Sequence, residues 1–176
     1  MAQITVPDTE DYYTGDGGKQ SVRAQSLEVL GMTLAAGNLF TGQFVETVGT
    51  SGGKVNFGRP WAARPTAIKF WAKYTTGNIE YTSSSVPLTK SDLDRAQVKV
   101  ALGTWDPKKY GGSADSPVQV NTTQTSTFVD FYNDTKGGTV ANGDVIIYHD
   151  GYDINKAGVT SEATDQWREY IIPINY

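Results

Sequence analysis

The feature that most restricts the fold of this chain is a series of short runs in which apolar and polar residues alternate. Clusters of Gly, Asn, Asp and Ser separate one run from the next. A period of two places successive side chains on opposite faces of a strand, and the turn clusters limit each strand to a few residues. No segment has apolar residues at helical spacing over three turns. The sequence therefore predicts an all-β fold, a two-sheet antiparallel β-sandwich of the jelly-roll type, formed by residues 1–176 as one domain.

The strand pattern is clearest in four segments. In one of them Val145, Ile146 and Ile147 are apolar on both faces, which suits a central strand covered on both sides. Pro173 lies in another and favours an edge position or a bulge, because proline has no N–H to donate to a neighbouring strand. The four clear strands are residues 67–74, 97–104, 144–148 and 169–176; weaker strands are predicted at 21–29, 39–45, 118–121 and 126–132, and helical turns at 91–95 and 161–165.

Composition excludes several kinds of chemistry. The chain has no cysteine, so disulfides, thiolate metal sites and cysteine nucleophiles are ruled out. Its 15 basic residues are outnumbered by 19 acidic ones and form no stripe, which argues against a nucleic-acid partner. No apolar run has the length of a membrane-spanning helix. The only histidine, His149, cannot build a multi-histidine zinc site, and no Gly-x-Ser-x-Gly elbow exists. We therefore expect no catalytic cofactor.

The tryptophans are the candidates for sugar binding. A flat ring can stack on the apolar face of a sugar while polar neighbours bind its hydroxyl groups. Trp71 lies between Lys69 and Lys73 on one face of a predicted strand, and Phe70 lies on the opposite face. Two alternatives stay open: Trp71 packs beneath a loop with the lysine stems over it, and Trp61 plugs the end of the sandwich. The predicted ligand-binding residues are Trp71, Lys69, Lys73, Trp105, Asp106, Tyr110 and Trp61.

An acidic segment near the start of the chain offers calcium candidates. Asp8, Glu10, Asp11 and Asp16 lie close to a glycine-rich turn at residues 15–18. Carboxylate and carbonyl oxygens are the ligands that Ca²⁺ prefers. The alternative is a solvated acidic loop. A structural calcium ion therefore remains open.

Glycoside hydrolysis needs two carboxylates on either side of one bond, about 5–5.5 Å apart for retention of configuration or about 6.5–9.5 Å apart for inversion. The sequence alone does not show which two carboxylates lie close together in the fold. Asp92 and Asp94 also fit turn and capping roles. The available residues are Asp92, Asp94, Asp150, Asp153 and Glu169. A glycoside hydrolase acting through paired carboxylates therefore stays an alternative.

Four segments, in this order, resemble a known family. They are AGNLFTG at residues 36–42, FGRPWAARPTAIKFWAKY at 57–74, VIIY at 145–148 and WREYIIPINY at 167–176. The family is the "putative carbohydrate metabolism domain" family (PCMD), and the resemblance covers roughly residues 20–176. Its fold is similar to the jelly rolls of carbohydrate-binding modules. The family brings no firm catalytic motif, so no catalytic residue is transferred.

The resemblance also implies a setting. Members of the family occur on exported or surface proteins of polysaccharide-foraging Gram-negative bacteria, so the expected location is secreted, periplasmic or on the outer membrane. The expected function is non-catalytic binding of an oligo- or polysaccharide. Family members usually continue past a segment like residues 172–176, which implies a fragment or a sheet completed by a strand of another chain. A structural or adhesive module that binds proteins is therefore a further alternative.

Overall fold

The computed structural model describes residues 4–29, 33–50, 52–82, 88–148, 160–162 and 165–176. It is 43% strand and contains one short α-helix, which confirms the predicted all-β class. The two-sheet jelly-roll arrangement stays a prediction. Within these residues no helix is long and apolar enough to cross a membrane. His149, Asp150 and Asp153 lie outside the described residues.

The elements follow one another in a simple order, with a single α-helix and a single 3-10 helix in the described part of the chain. The strands are β1 (Thr5–Asp8), β2 (Ser21–Ala24), β3 (Leu27–Val29), β4 (Thr33–Ala35), β5 (Gly42–Val48), β6 (Gly52–Phe57), β7 (Ala67–Ala72), β8 (Ala96–Gly103), β9 (Val118–Asn121), β10 (Thr139–Tyr148), β11 (Thr160–Glu162) and β12 (Arg168–Pro173); the helices are α1 (Pro107–Tyr110) and the 3-10 helix Thr125–Thr127.

The strands form small sheets. β1 pairs with β2 and β3 with β4, both antiparallel. β6 lies between β5 and β9 in an antiparallel sheet, and a bulge interrupts β5 between Phe44 and Glu46. β10 lies between β8 and β11, and β12 pairs with β7. Val145, Ile146 and Ile147 of β10 are all buried, which confirms the prediction of a central strand covered on both faces.

The chain is divided into two compact units. The first comprises residues 1–39, 69–98 and 144–172, and the second residues 40–68, 99–143 and 173–176. Each unit has its own buried apolar residues. In the first these are Val145, Ile146, Ile147, Tyr170 and Ile172; in the second they are Tyr110, Val118, Val120, Ala141 and Ile174. The single domain over residues 1–176 stays a prediction.

The helical turn predicted at 161–165 is wrong where the structure describes it, because Thr160–Glu162 form β11. Two other local predictions were wrong as well. Residues 126–132 form no strand, because Thr127 bonds the backbone of Asn121 through its hydroxyl and closes a 3-10 turn instead. Residues 91–95 form no helical turn. Asp92 accepts hydrogen bonds from the backbone N–H and the hydroxyl of Thr89, which closes a tight turn. In both places short polar side chains satisfy backbone groups locally.

Candidate functional site

The carboxylate of Asp8, the last residue of β1, forms the turn that follows the strand. Asp8 Oδ1 accepts hydrogen bonds from the backbone N–H groups of Glu10 and Asp11, at 2.9 and 3.0 Å. These bonds, that from Asp11 above all, favour the ionised form and lower the pKa of Asp8. The hydroxyl of Ser21 donates to the Asp11 carbonyl oxygen at 2.6 Å, which ties the segment to β2. The acidic segment is thus a structured loop.

This segment covers Trp71. The ring of Tyr13 stacks on that of Trp71, with centroids 3.7 Å apart and an interplanar angle of 13°. Gly15 permits this placement, since a side chain there would overlap the Tyr13 ring. Trp71 is half-buried, and its Nε1 is shielded from solvent without a hydrogen-bond partner among the described residues. One face of the Trp71 ring is therefore occupied, the geometry of a tryptophan packed beneath a loop.

The lysines beside Trp71 are held by carboxylates of the protein. Lys73 Nζ lies 2.6 Å from Asp11 Oδ1, which also accepts a hydrogen bond of 3.0 Å from Trp167 Nε1. The hydrogen bond from Lys73 is the main cause that lowers the pKa of Asp11. Lys69 Nζ lies 3.0 Å from Glu169, and this hydrogen bond raises the pKa of Lys69. Both lysines thus have partners within the chain.

Tyr110 is the last residue of α1 and Asp106 immediately precedes the helix, where the sequence analysis predicted no helical turn. Asp106 is the N-cap and accepts a 2.9 Å hydrogen bond from Lys108 N, with Pro107 in the first helical position. Tyr110 is buried, and its hydroxyl lies 2.9 Å from Asp134 Oδ2. Burial, and then this carboxylate, raise the pKa of Tyr110.

Asp134 organises the turn before β10. Its Oδ2 accepts hydrogen bonds from the backbone N–H groups of Gly138 and Thr139, at 2.9 and 3.0 Å. Burial alone would raise the pKa of Asp134, but its hydrogen bonds outweigh burial and lower it. Trp105 packs edge-on against Phe131, with centroids 5.6 Å apart. Its Nε1 is also shielded and has no partner among the described residues.

Trp61 lies in the segment between β6 and β7, residues 58–66, which we call the Trp61 loop. Its side chain is 67% exposed. The start of the loop is fixed at Gly58, whose N–H donates to Thr41 O at 2.8 Å and whose carbonyl oxygen accepts from Ser116 Oγ at 2.9 Å. Gly58 has a φ of +105°, a conformation that favours glycine.

The far end of the Trp61 loop is fixed by the last residues of the chain. Ile174 N donates to Thr66 O at 2.9 Å, and the Tyr176 hydroxyl donates to Pro65 O at 2.9 Å. The guanidinium carbon of Arg64 lies 4.0 Å from the centroid of the Tyr176 ring. Both ends of the loop are therefore held, and its middle presents an exposed indole.

Several of the carboxylates considered for calcium or hydrolysis have local roles in the structure. Asp94 Oδ1 accepts from the backbone N–H of Arg95, so Asp94 and Asp92 both have the turn roles that the sequence indicated. Within the described ranges no three His, Asp or Glu side chains form a group that could hold a metal ion. A calcium site at Asp8, Glu10, Asp11 and Asp16 stays a prediction, as does a catalytic carboxylate pair.

Sequence reasoning missed three contributions. Tyr13 covers Trp71, a contact between residues far apart in the sequence that no local pattern predicts. Asp134 precedes Gly137 and Gly138, a turn pattern in which an aspartate often accepts backbone hydrogen bonds. The cationic character of the Trp61 loop could have been noticed, since no Asp or Glu occurs between Glu46 and Glu80.

Comparison with protein families identifies the family of this chain. A family model described as "Putative carbohydrate metabolism domain" matches residues 4–176. The chain belongs to this family, which confirms the resemblance and extends it to β1 and the segment that covers Trp71. Neither the comparison with curated proteins nor that with solved structures finds a match.

Proposed function

We propose that this chain is a non-catalytic glycan-binding module of an exported or cell-surface protein, and that Trp61 is its stacking ring. The observation that carries the proposal is the Trp61 loop, which holds a 67% exposed indole between two anchored ends. Loops on a rigid scaffold commonly carry binding residues, and anchoring reduces the entropy lost on binding. Family membership supports a carbohydrate as the ligand.

The other predicted ligand residues are part of the same proposal but differ in availability. Trp71 offers one ring face, because Tyr13 lies on the other. Trp105 is half-buried against Phe131. A single exposed ring buries little area, so we expect binding in the range of about micromolar to millimolar.

The test is a glycan-array and polysaccharide pull-down screen of the chain beside three variants, Trp61→Ala, Trp71→Ala and Trp105→Ala. We expect saturable binding that Trp61→Ala reduces more than about tenfold while its thermal melt is unchanged, since one aromatic anchor commonly dominates a small interface. Binding lost in Trp71→Ala or Trp105→Ala, but kept in Trp61→Ala, would move the site to that ring. A folded protein that binds no glycan would contradict the proposal.

The same screen separates binding from hydrolysis. A glycoside hydrolase would release reducing ends from the polysaccharide that it binds, and one Asp→Asn or Glu→Gln change would abolish the release. A non-catalytic module leaves the polysaccharide intact. We therefore expect no new reducing ends after prolonged incubation with any polysaccharide that the chain retains.

The exposed edge of β5 supports a second candidate function, association with another chain through a strand edge. In the described sheet β5 pairs with β6 on one side only, and Phe44 and Val45 are 60% and 42% exposed. Such edges can pair with a strand of another chain. Sedimentation at rising protein concentration tests this function. Self-association that Val45→Pro abolishes would support it, and a monomer at all concentrations would count against pairing between copies.

A further inference from the structure

We propose that the Trp61 loop selects acidic glycans, such as polymers of uronic acid, through Arg59 and Arg64. This inference rests on the proposed function and names the class of its ligand. Both arginines are exposed, and they lie two and three residues from Trp61 along the same loop. One short stretch of chain therefore presents an apolar ring between two cations.

The charges of the two arginines are not balanced within the described part of the chain. Neither forms an ion pair with a carboxylate among the described residues. By contrast, Lys54 on the preceding strand pairs with Glu46 at 2.6 Å. The chain as a whole has a net charge of −4, so this loop differs in sign from the rest. Charge complementarity therefore favours an anionic ligand at the Trp61 loop.

The contacts of the arginines leave their donors available. The guanidinium carbon of Arg64 lies 4.0 Å from the Tyr176 ring centroid, and Arg64 donates no side-chain hydrogen bond within the described part of the chain. The N–H groups of a guanidinium lie in its plane, and two of them can bind a carboxylate at two points. Arg59 uses one nitrogen for a 3.2 Å hydrogen bond to Gly42 O, which holds the side chain in place.

An acidic sugar satisfies both parts of the loop. Its ring carbons offer the apolar face that stacks on Trp61, and its carboxylate can bind an arginine beside that ring. A neutral sugar would leave the two charges without a counterpart. The chemistry of the loop therefore fits a uronic-acid polymer better than an uncharged one.

The experiment uses the full chain with polygalacturonate and its fully methyl-esterified form, which have the same backbone and differ in charge. We expect polygalacturonate to bind at least about tenfold more tightly, and Arg59→Gln or Arg64→Gln to remove most of that difference. Arg64→Lys keeps the charge but loses the two-point geometry, so this variant should retain only part of the preference for polygalacturonate. Arg23→Gln, on an exposed arginine outside the loop, is the matched control and should change nothing.

The outcomes separate this inference from the proposed function. Equal binding of both polymers, lost in Trp61→Ala but kept in both arginine variants, would overturn acidic selectivity and leave glycan binding intact. Binding of poly-L-glutamate or single-stranded DNA as strong as that of polygalacturonate would overturn it as well, since charge alone would then suffice. Failure to bind any polysaccharide, neutral or acidic, would remove the proposed function and the inference together.

Discussion

Trp71 and Trp61 lie in the same stretch of sequence, yet their surroundings are opposite. Trp71 is on β7, beneath Tyr13, and its neighbours Lys69 and Lys73 are bound to carboxylates of the chain. Trp61 is 67% exposed, and its neighbours Arg59 and Arg64 have no ion pair among the described residues. A tryptophan beside cationic side chains can therefore pack against another segment of the protein or be free for a ligand. The partners of the ring and of the cations in the structure distinguish these two cases.

The largest expected effect on stability is that of Trp71→Ala. The variant removes a half-buried ring that supports the segment containing Tyr13, and we expect the free energy of unfolding to fall by about 2 kcal/mol, below the cost of a fully buried tryptophan. Urea denaturation followed by circular dichroism measures the change. A loss below about 0.5 kcal/mol would mean that the stack contributes little and that Trp71 is free for a ligand.

Tyr13→Ala should have a smaller effect. Stacked aromatic pairs contribute about 0.5–1.5 kcal/mol beyond the area that they bury, and Tyr13 is only half-buried, so we expect a loss of about 1 kcal/mol. Tyr12→Ala is the control, because Tyr12 is also half-buried but has no ring contact among the described residues. If the two variants melt alike, the stack is not what holds the segment. Raised glycan binding by Tyr13→Ala would show that Trp71 is a covered platform.

How far the sequence predicted these two regions depends on the range of the interactions. Alternation predicted β7 and the buried face of β12 well, since Tyr170 and Ile172 are buried while Ile171 is exposed. It could not predict that Tyr13 covers Trp71, because that contact joins residues far apart in the sequence. The exposure of Trp61 was equally out of reach, as the hydrogen bonds to Ser116 and Tyr176 fix its loop.

Two other elements, β6 and α1, were missed for different reasons. β6 begins with Gly52 and Gly53, which read as a turn, and its pairing with both β5 and β9 stabilises a strand that its composition does not favour. α1 could have been predicted, since Asp106 followed by Pro107 is the pattern of a helix N-terminus. It is short enough to leave no helical periodicity in the sequence.

Asp11→Asn tests the electrostatic part of the contact around Trp71. Because Lys73 lowers the pKa of Asp11 in the folded state, ionised Asp11 stabilises the fold at pH values above its ordinary pKa of 3.8. That stabilisation is lost as the pH falls through the lowered folded pKa. We therefore expect the variant to melt slightly below the wild type at neutral pH, because the pair is exposed, and the two melting temperatures to converge below pH 3.8.

The control for this pH dependence is Asp115→Asn, on an exposed carboxylate with no hydrogen bond or ion pair among the described residues. It should track the wild type over the whole range from neutral pH to about pH 2.5. A difference between Asp11→Asn and the wild type that stays constant into acid would contradict a role for the ionised carboxylate. Packing of the side chain would then be the cause.

The smallest expected effect on stability is that of Trp61→Ala, which contrasts directly with the large effect expected for Trp71→Ala. A side chain that is 67% exposed contributes little to the fold, so the free energy of unfolding should change by less than about 0.5 kcal/mol. Urea denaturation of this variant beside Trp71→Ala measures both. A loss above about 1.5 kcal/mol would mean that Trp61 packs against the end of the fold, as the alternative from the sequence proposed. If Trp61→Ala leaves the stability unchanged and removes glycan binding, the ring has no packing role in the fold. The anchored ends of its loop then hold the ring at the surface, where it contacts a ligand.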